Sequence, residues 1–116
     1  MKERIQILYE NNVISKEIAD FVYEIIDFLQ AKNYPQEKVE TFVTHLAMAS
    51  QRVLNNEECM TFDDSIWNQV EKNESYQKSL EIYKYICDIS PVKYPLSEEK
   101  FILLHLCNLE SRGEWN

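Results

Sequence analysis

The stretch after Ser15 repeats its hydrophobic positions at helical spacing. Ser15 is a suitable N-cap, because its hydroxyl can accept a hydrogen bond from a free amide in the first turn of a helix. The apolar residues that follow share one face of an α-helix. They are Ile18, Phe21, Val22, Ile25, Phe28 and Leu29. The pattern therefore predicts a helix with one buried face.

A second and longer helix is predicted from about Pro35 to the asparagines at positions 55 and 56. Proline suits the first position of a helix, where its missing N–H group has no partner to lose. The predicted core side of this helix consists of Val39, Phe42, Val43, Leu46, Ala47, Ser50, Val53 and Leu54. The two asparagines are expected to end it.

Shorter helices are predicted before and after these two. Residues 1–11 form a short helix that two asparagines end. A third helical region starts near Asp63 or Asp64, both of which are good N-caps. An interruption is expected around Asn73, because Ser75 offers a second N-cap there.

The last predicted helix has the most apolar sequence of the chain. It starts at Ser97, where the acidic residues that follow are favoured by the positive end of the helix dipole. Residues 101–109, FILLHLCNL, are nearly all apolar. A helix that is apolar all round is buried on every side. We expect this helix to lie inside the bundle or between subunits.

These elements predict an all-α protein, a compact bundle of about five helices in one domain that spans residues 1–116. A chain of 116 residues has room for one domain and little more. One glycine and three prolines leave too few turn-forming residues for an all-β sandwich, which needs a turn about every ten residues.

Charge narrows the classes of partner. The formal net charge is -8, from 20 acidic and 12 basic residues. Nucleic-acid binding needs a basic surface that neutralises phosphates, so we expect no direct contact with DNA or RNA. The N-terminal MKERIQILYE is charged where a signal peptide needs an apolar core, and no apolar run reaches the roughly 18 residues of a membrane span. We expect a cytoplasmic protein that does not contact a membrane.

Little in the sequence indicates an enzyme or a metal site. Cys59, Cys87 and Cys107 lack a CxxC spacing, and in a reducing compartment they are expected to be free thiols. His105 and Cys107 lie about 200° apart around a helix, so they do not converge on a metal. No GxSxG, HExxH or P-loop motif occurs. We expect no catalytic residues, no metal and no cofactor.

The chain has two histidines, and His45 lies about 130° from the centre of the predicted core face of its helix. It shares a stripe with Thr41, Met48 and Arg52. A neutral imidazole is nucleophilic near pH 7, and a guanidinium suits a phosphate or carboxylate oxygen. Met48 indicates a surface that a partner sometimes covers. Helical spacing alone leaves two interpretations of His45 open, an exposed polar residue or a functional one.

His105 is harder to interpret from spacing. It lies within the apolar run of the last helix, where a histidine is usually a hydrogen-bonded core residue. A functional role is the second interpretation, and the local pattern does not decide between them.

Two segments resemble the histidine motifs of the PRD family, the phosphotransferase system regulation domains. In FVTHLAMASQRVL, residues 42–54, a His-Leu pair is followed by a small residue and by an arginine seven positions after the histidine. These residues are His45, Leu46, Ala49 and Arg52. In LSEEKFILLHL, residues 96–106, an acidic helix start leads through an apolar run to a second His-Leu pair. The matching residues are Glu98 or Glu99, and His105. The resemblance extends from about residue 4 to residue 112.

This resemblance implies a helical bundle that usually dimerises and is phosphorylated on histidine. The donor would be the histidine phosphocarrier protein of the sugar phosphotransferase system or an EIIB component. His45 and His105 would accept the phosphoryl group, and we hypothesise that Arg52 stabilises a phosphate on His45. The module would be a substrate and not an enzyme, and it would signal through altered protein–protein contacts.

The sequence departs from the usual arrangement of the family. PRDs normally occur in pairs attached to an RNA-binding or DNA-binding segment, whereas these residues contain one module. We therefore expect a small stand-alone PRD protein whose link to transcription regulation runs through another PRD-containing regulator or a transporter component. The alternative is a non-phosphorylated bundle that serves only for dimerisation or docking.

Overall fold

The chain folds into helices connected by short turns. A computed structural model of the protein describes residues 2–57 and 64–110. Within these ranges there are six α-helices and no strand, which confirms the predicted all-α class. The helices are α1 (Lys2–Glu10), α2 (Lys16–Gln30), α3 (Gln36–Leu54), α4 (Asp64–Lys72), α5 (Tyr76–Ile89) and α6 (Leu96–Glu110). The count exceeds the predicted five because the region after Asp64 is split in two.

The starts of α2 and α3 differ in how closely they follow the prediction. Ser15 is the N-cap of α2, and its hydroxyl oxygen accepts a hydrogen bond from the Ile18 amide at 3.2 Å. Pro35 was predicted to be the first residue of α3, but it is the N-cap, one position before the helix, with ψ at 130°. Its carbonyl accepts hydrogen bonds from the amides of Lys38 and Val39, both at 3.1 Å. Pro35 therefore starts α3 through its carbonyl while its own backbone is extended.

Asparagine ends several helices in positions that commonly belong to glycine. Three asparagines have a left-handed backbone, with φ between 59° and 62°. They are Asn12, Asn33 and Asn56. A short polar side chain makes asparagine the residue that tolerates this region best after glycine. At the end of α3, the amides of Asn56 and Glu57 donate back to carbonyls of the last turn at 3.1 and 2.9 Å. The predicted end of this helix is confirmed.

The predicted interruption near Asn73 is confirmed, since it separates α4 from α5. The Asn73 side-chain oxygen accepts a hydrogen bond from the Ser75 amide at 2.8 Å, and its carbonyl accepts one from the Tyr76 amide at 3.0 Å. Ser75 occupies the N-cap position of α5, but its hydroxyl makes no capping bond. Asp64 is the first residue of α4, and the other candidate cap, Asp63, lies outside the described residues.

The core lies between α2, α3 and α6. Helix α3 packs against both α2 and α6, and α6 also contacts α4 and α5. Burial of a large aliphatic side chain contributes about 1.5–3 kcal/mol, so these interfaces supply much of the stability. The most deeply buried aliphatic residues include Ile18, Ile25, Ile26, Leu29, Leu46, Ile86, Ile102, Leu103 and Leu106. None of the helices in the described part of the chain is long and apolar enough to cross a membrane.

The cysteines of the described ranges are free thiols. Cys87 is exposed on α5, and Cys107 is buried on α6. The Ser79 hydroxyl donates a hydrogen bond to the Cys107 sulfur at 3.5 Å, so this thiol faces α5. Cys59, the third cysteine of the sequence, lies outside the described residues.

Helix α6 is not enclosed on every side within one chain. Ile102, Leu103, Leu106, Cys107 and Leu109 are buried. A second side of the helix is only partly buried, and it consists of Phe101, Leu104, His105 and Asn108. Burial within one chain is therefore incomplete on this second side, although Phe101 packs against the core. Burial between subunits stays a prediction.

Candidate functional site

The structure brings the two histidines into contact across the interface between α3 and α6. The ring centroids of His45 and His105 are 4.0 Å apart, and the ring planes differ by 15°. The two imidazoles are therefore stacked. They are far apart in the sequence, so their contact follows from the packing of α3 against α6 and not from spacing within one helix. We refer to His45 and His105 as the histidine pair.

Both members of the pair retain contact with solvent. His45 is partly buried, in agreement with its predicted place away from the core face. On its stripe, Thr41 and Met48 are exposed and Arg52 is partly buried. His105 is also partly buried, because it lies on the incompletely covered side of α6 and stacks there on His45. The pair is therefore at the surface, in a position that a second protein can approach.

Phe101 connects the histidine pair to Arg52. Its ring meets His105 edge to face at a centroid distance of 4.5 Å and His45 at 5.8 Å. The Arg52 guanidinium carbon lies 5.2 Å from the centre of the same ring. Edge-to-face aromatic contacts and a cation over a ring face are both favourable. Phe101 thus fixes the relative positions of the two imidazoles and the guanidinium.

Arg52 forms a two-pronged ion pair with Glu98. The Arg52 Nε and Nη2 groups each donate to one Glu98 carboxylate oxygen, both at 3.0 Å. The Glu98 side chain is 1% exposed, and that of Arg52 is 28% exposed. A bidentate pair is the strongest arrangement that these two groups can form. The fork satisfies a buried carboxylate, so Arg52 has a structural role before any phosphate is considered.

The environment keeps both imidazoles neutral near pH 7. Burial lowers the pKa of His45, and the positive charge of Arg52 lowers it further. Burial, with a smaller contribution from His45, lowers the pKa of His105 to about 4. A neutral imidazole has a free lone pair on one ring nitrogen, which is the condition for nucleophilic attack on phosphorus.

The geometry gives no support to a metal centre. Across residues 2–57 and 64–110, no group of three or more histidine, cysteine or acidic side chains could hold a metal ion. His105 turns toward α3, where it stacks on His45, and Cys107 turns toward α5. The two residues therefore diverge, as their spacing predicts.

Sequence reasoning named most of this cluster but not its organisation. Phe101 was not identified as a site residue, although its position four residues before His105 places both on one face of α6. Glu98 was one of two acidic candidates in the second motif, and its near-complete burial separates it from Glu99. The roles of His45, His105 and Arg52 in phosphorylation stay predictions.

A protein-family model described as the PRD domain matches residues 20–109, a segment that contains both histidines, Arg52 and Glu98. It begins within α2 and ends within α6. No curated protein and no solved structure matches the chain.

Proposed function

Because this chain belongs to the PRD family, whose domains are regulatory and not catalytic modules of the sugar phosphotransferase system, we propose that it is phosphorylated on the histidine pair. The observation that carries the proposal is the pair itself. Two neutral imidazoles from different helices meet at the surface, with a guanidinium beside them. A plain structural bundle has no need of this combination at a solvent-exposed position.

The proposed reaction is a phosphoryl transfer from a carrier protein. A lone pair on a ring nitrogen of His45 or His105 forms a bond to the phosphorus of the donor's phosphoryl group. The bond between that phosphorus and the donor breaks, and the donor atom keeps the electron pair. Since the donor supplies an activated group, the chain needs to provide only a neutral nucleophile and a place for the charge. The donor would be the histidine phosphocarrier protein or an EIIB component.

Arg52 would stabilise the phosphoryl group on His45. The two residues lie two turns apart on the same stripe of α3, and the charge of Arg52 already affects the pKa of His45. A guanidinium matches phosphoryl oxygens as well as it matches a carboxylate. In this role Arg52 would divide its charge between Glu98 and the new anion. Phosphorylation would thereby weaken the fork that joins α3 to α6.

The signal would then be read by another protein surface. A phosphoryl group adds up to two negative charges to the edge of the α3–α6 interface. The partly buried side of α6 and the exposed Met48 adjoin this edge, and both are suited to contact with a partner. We propose that the surface contacts a second copy of the chain or another PRD-containing regulator, and that phosphorylation changes this contact.

The test is phosphorylation in a reconstituted system. The chain is incubated with phosphoenolpyruvate, enzyme I and the phosphocarrier, with and without a cognate EIIB, and intact masses are measured at neutral pH. We expect an acid-labile phosphoryl group on the wild type and on a Glu24→Gln control, a change at an exposed position of α2. The double variant His45→Gln, His105→Gln should take up none. Light scattering before and after labelling reports whether the oligomeric state changes.

The proposal fails if the folded wild type accepts no phosphoryl group from either donor, or if the double variant is labelled equally well. Helical content measured by circular dichroism must be equal in all variants. One observation favours the alternative of a bundle that only docks or dimerises. The Arg52–Glu98 fork is complete without phosphate. The alternative predicts that the double variant keeps its partner binding unchanged.

A further inference from the structure

We infer that the histidine pair is a single acceptor with two possible points of attachment, so that a phosphoryl group on one imidazole excludes a second on the other. The inference rests on the proposed function, and it specifies how that site is regulated. It follows from the stacking of the two rings and from the position of the nearest cation.

The first step is the distance between the two acceptors. With ring centroids 4.0 Å apart and planes nearly parallel, any two ring nitrogens of the pair are close neighbours. Phosphoryl groups on both rings would lie within about one Debye length, roughly 8 Å at physiological ionic strength. Salt therefore screens their repulsion weakly. Each group carries up to two negative charges, so four pairs of unit charges repel one another.

The second step is the supply of positive charge. Among the described residues, Arg52 is the cation that lies over the Phe101 ring beside the pair, and it is already joined to the buried carboxylate of Glu98. When Arg52 interacts with both Glu98 and one phosphoryl group, its single positive charge is fully neutralised. A second phosphoryl group would meet a cluster whose net charge is already negative. Arg52 therefore supports one modification and not two.

The third step is packing. Phe101 holds both imidazoles by its ring edge and face, and the surrounding residues of α3 and α6 are buried. The rings have little room to move apart without a change in the α3–α6 interface.

The consequence is a module with three states: unmodified, phosphorylated on His45, and phosphorylated on His105. Two donors with different preferences would compete for one place. The position of the phosphoryl group would then indicate which donor had acted, and the number of phosphoryl groups would not vary with the number of donors.

The test compares the wild type with single-histidine variants. His45→Gln and His105→Gln each leave one acceptor and keep a neutral side chain of similar reach. Intact masses are measured at equilibrium over a series of phosphoenolpyruvate to pyruvate ratios. The single variants give the occupancy of each site alone. We expect the doubly phosphorylated fraction of the wild type to be at least about tenfold lower than the product of these two occupancies.

Double phosphorylation at the level of that product would overturn the inference while leaving the proposed function intact. Absence of label from the wild type and both single variants would instead remove the proposed function.

Discussion

The interfaces of α3 with α2 and with α6 have opposite chemical character. The buried side chains of α2 are all apolar, so the α2 side of α3 is a conventional hydrophobic contact. The junction of α3 with α6 contains the stacked histidines, the Arg52–Glu98 fork and a hydrogen bond between the Ser50 and Tyr94 hydroxyls, 2.7 Å apart, at the turn before α6. One helix thus has an apolar interface on one side and a polar, aromatic interface on the other. The difference indicates that changes at the α6 side can alter the site without unfolding the bundle.

The largest expected effect comes from the α2 side. Leu29 is fully buried, and Leu29→Ala should lower the free energy of unfolding by about 2–5 kcal/mol, because it removes apolar contacts and leaves a cavity. The control Met48→Ala lies on the exposed stripe and should change stability by less than about 0.5 kcal/mol. Urea denaturation followed by circular dichroism measures both. A loss in Leu29→Ala no greater than in the control would contradict the division between the two interfaces.

The next effect comes from the Arg52–Glu98 fork, and it should be asymmetric. Arg52→Met leaves a buried carboxylate without its fork and should cost about 2–4 kcal/mol. Glu98→Gln leaves a guanidinium that water can partly reach, and it should cost about 1 kcal/mol. The double variant Arg52→Met, Glu98→Gln should recover part of the first loss, because the buried side chain at position 98 is then neutral. Denaturation of all three variants gives a double-mutant cycle, and equal costs in both single variants would show that burial of Glu98 does not control this junction.

The smallest effect is a dependence of stability on pH. Burial lowers the pKa of His105 to about 4 in the folded chain, whereas the unfolded chain binds that proton near pH 6.5. The unfolded state therefore holds more protons between these values, and stability falls as the pH falls from 6.5 to 4. After allowance for the partial exposure of His105, we expect its protonation to lower the free energy of unfolding by about 2 kcal/mol over this pH range. Urea denaturation midpoints of the wild type and of His105→Gln, measured between pH 6.5 and 4, isolate this contribution. An equal loss of stability in both proteins would contradict the role given to His105.

Local signals in the sequence were sufficient for the helices. Ser15 and the asparagines at the ends of α1 and α3 act through their own side chains or backbone, so their effect can be predicted from composition and position alone. The stripe of His45 was likewise correct, because helical periodicity fixes which residues share a face of α3. Helix α3 was predicted to start at Pro35, one residue too early, because proline suits either side of a helix start.

The organisation of the site needed the tertiary structure. Residues 101–109 are so uniformly apolar that periodicity could not show which side of α6 faces outward, and His105 could not be placed for that reason. Glu98 has the usual position of an acidic residue at a helix start, and nothing local reveals that it is buried against Arg52. The contact between the two imidazoles depends on the register of α3 against α6. Only the family resemblance directed attention to both histidines.

The Arg52–Glu98 fork also bears on which anions can act at this site. Glu98 is tethered to the chain, so it competes for the guanidinium at an effective concentration far above that of any dissolved ion. Free phosphate or a metabolite would have to displace this resident carboxylate from bulk solution. Under the proposed function, a phosphoryl group on His45 would be tethered as well and would compete on equal terms. The buried glutamate would then favour a covalently delivered phosphoryl group over free cellular anions.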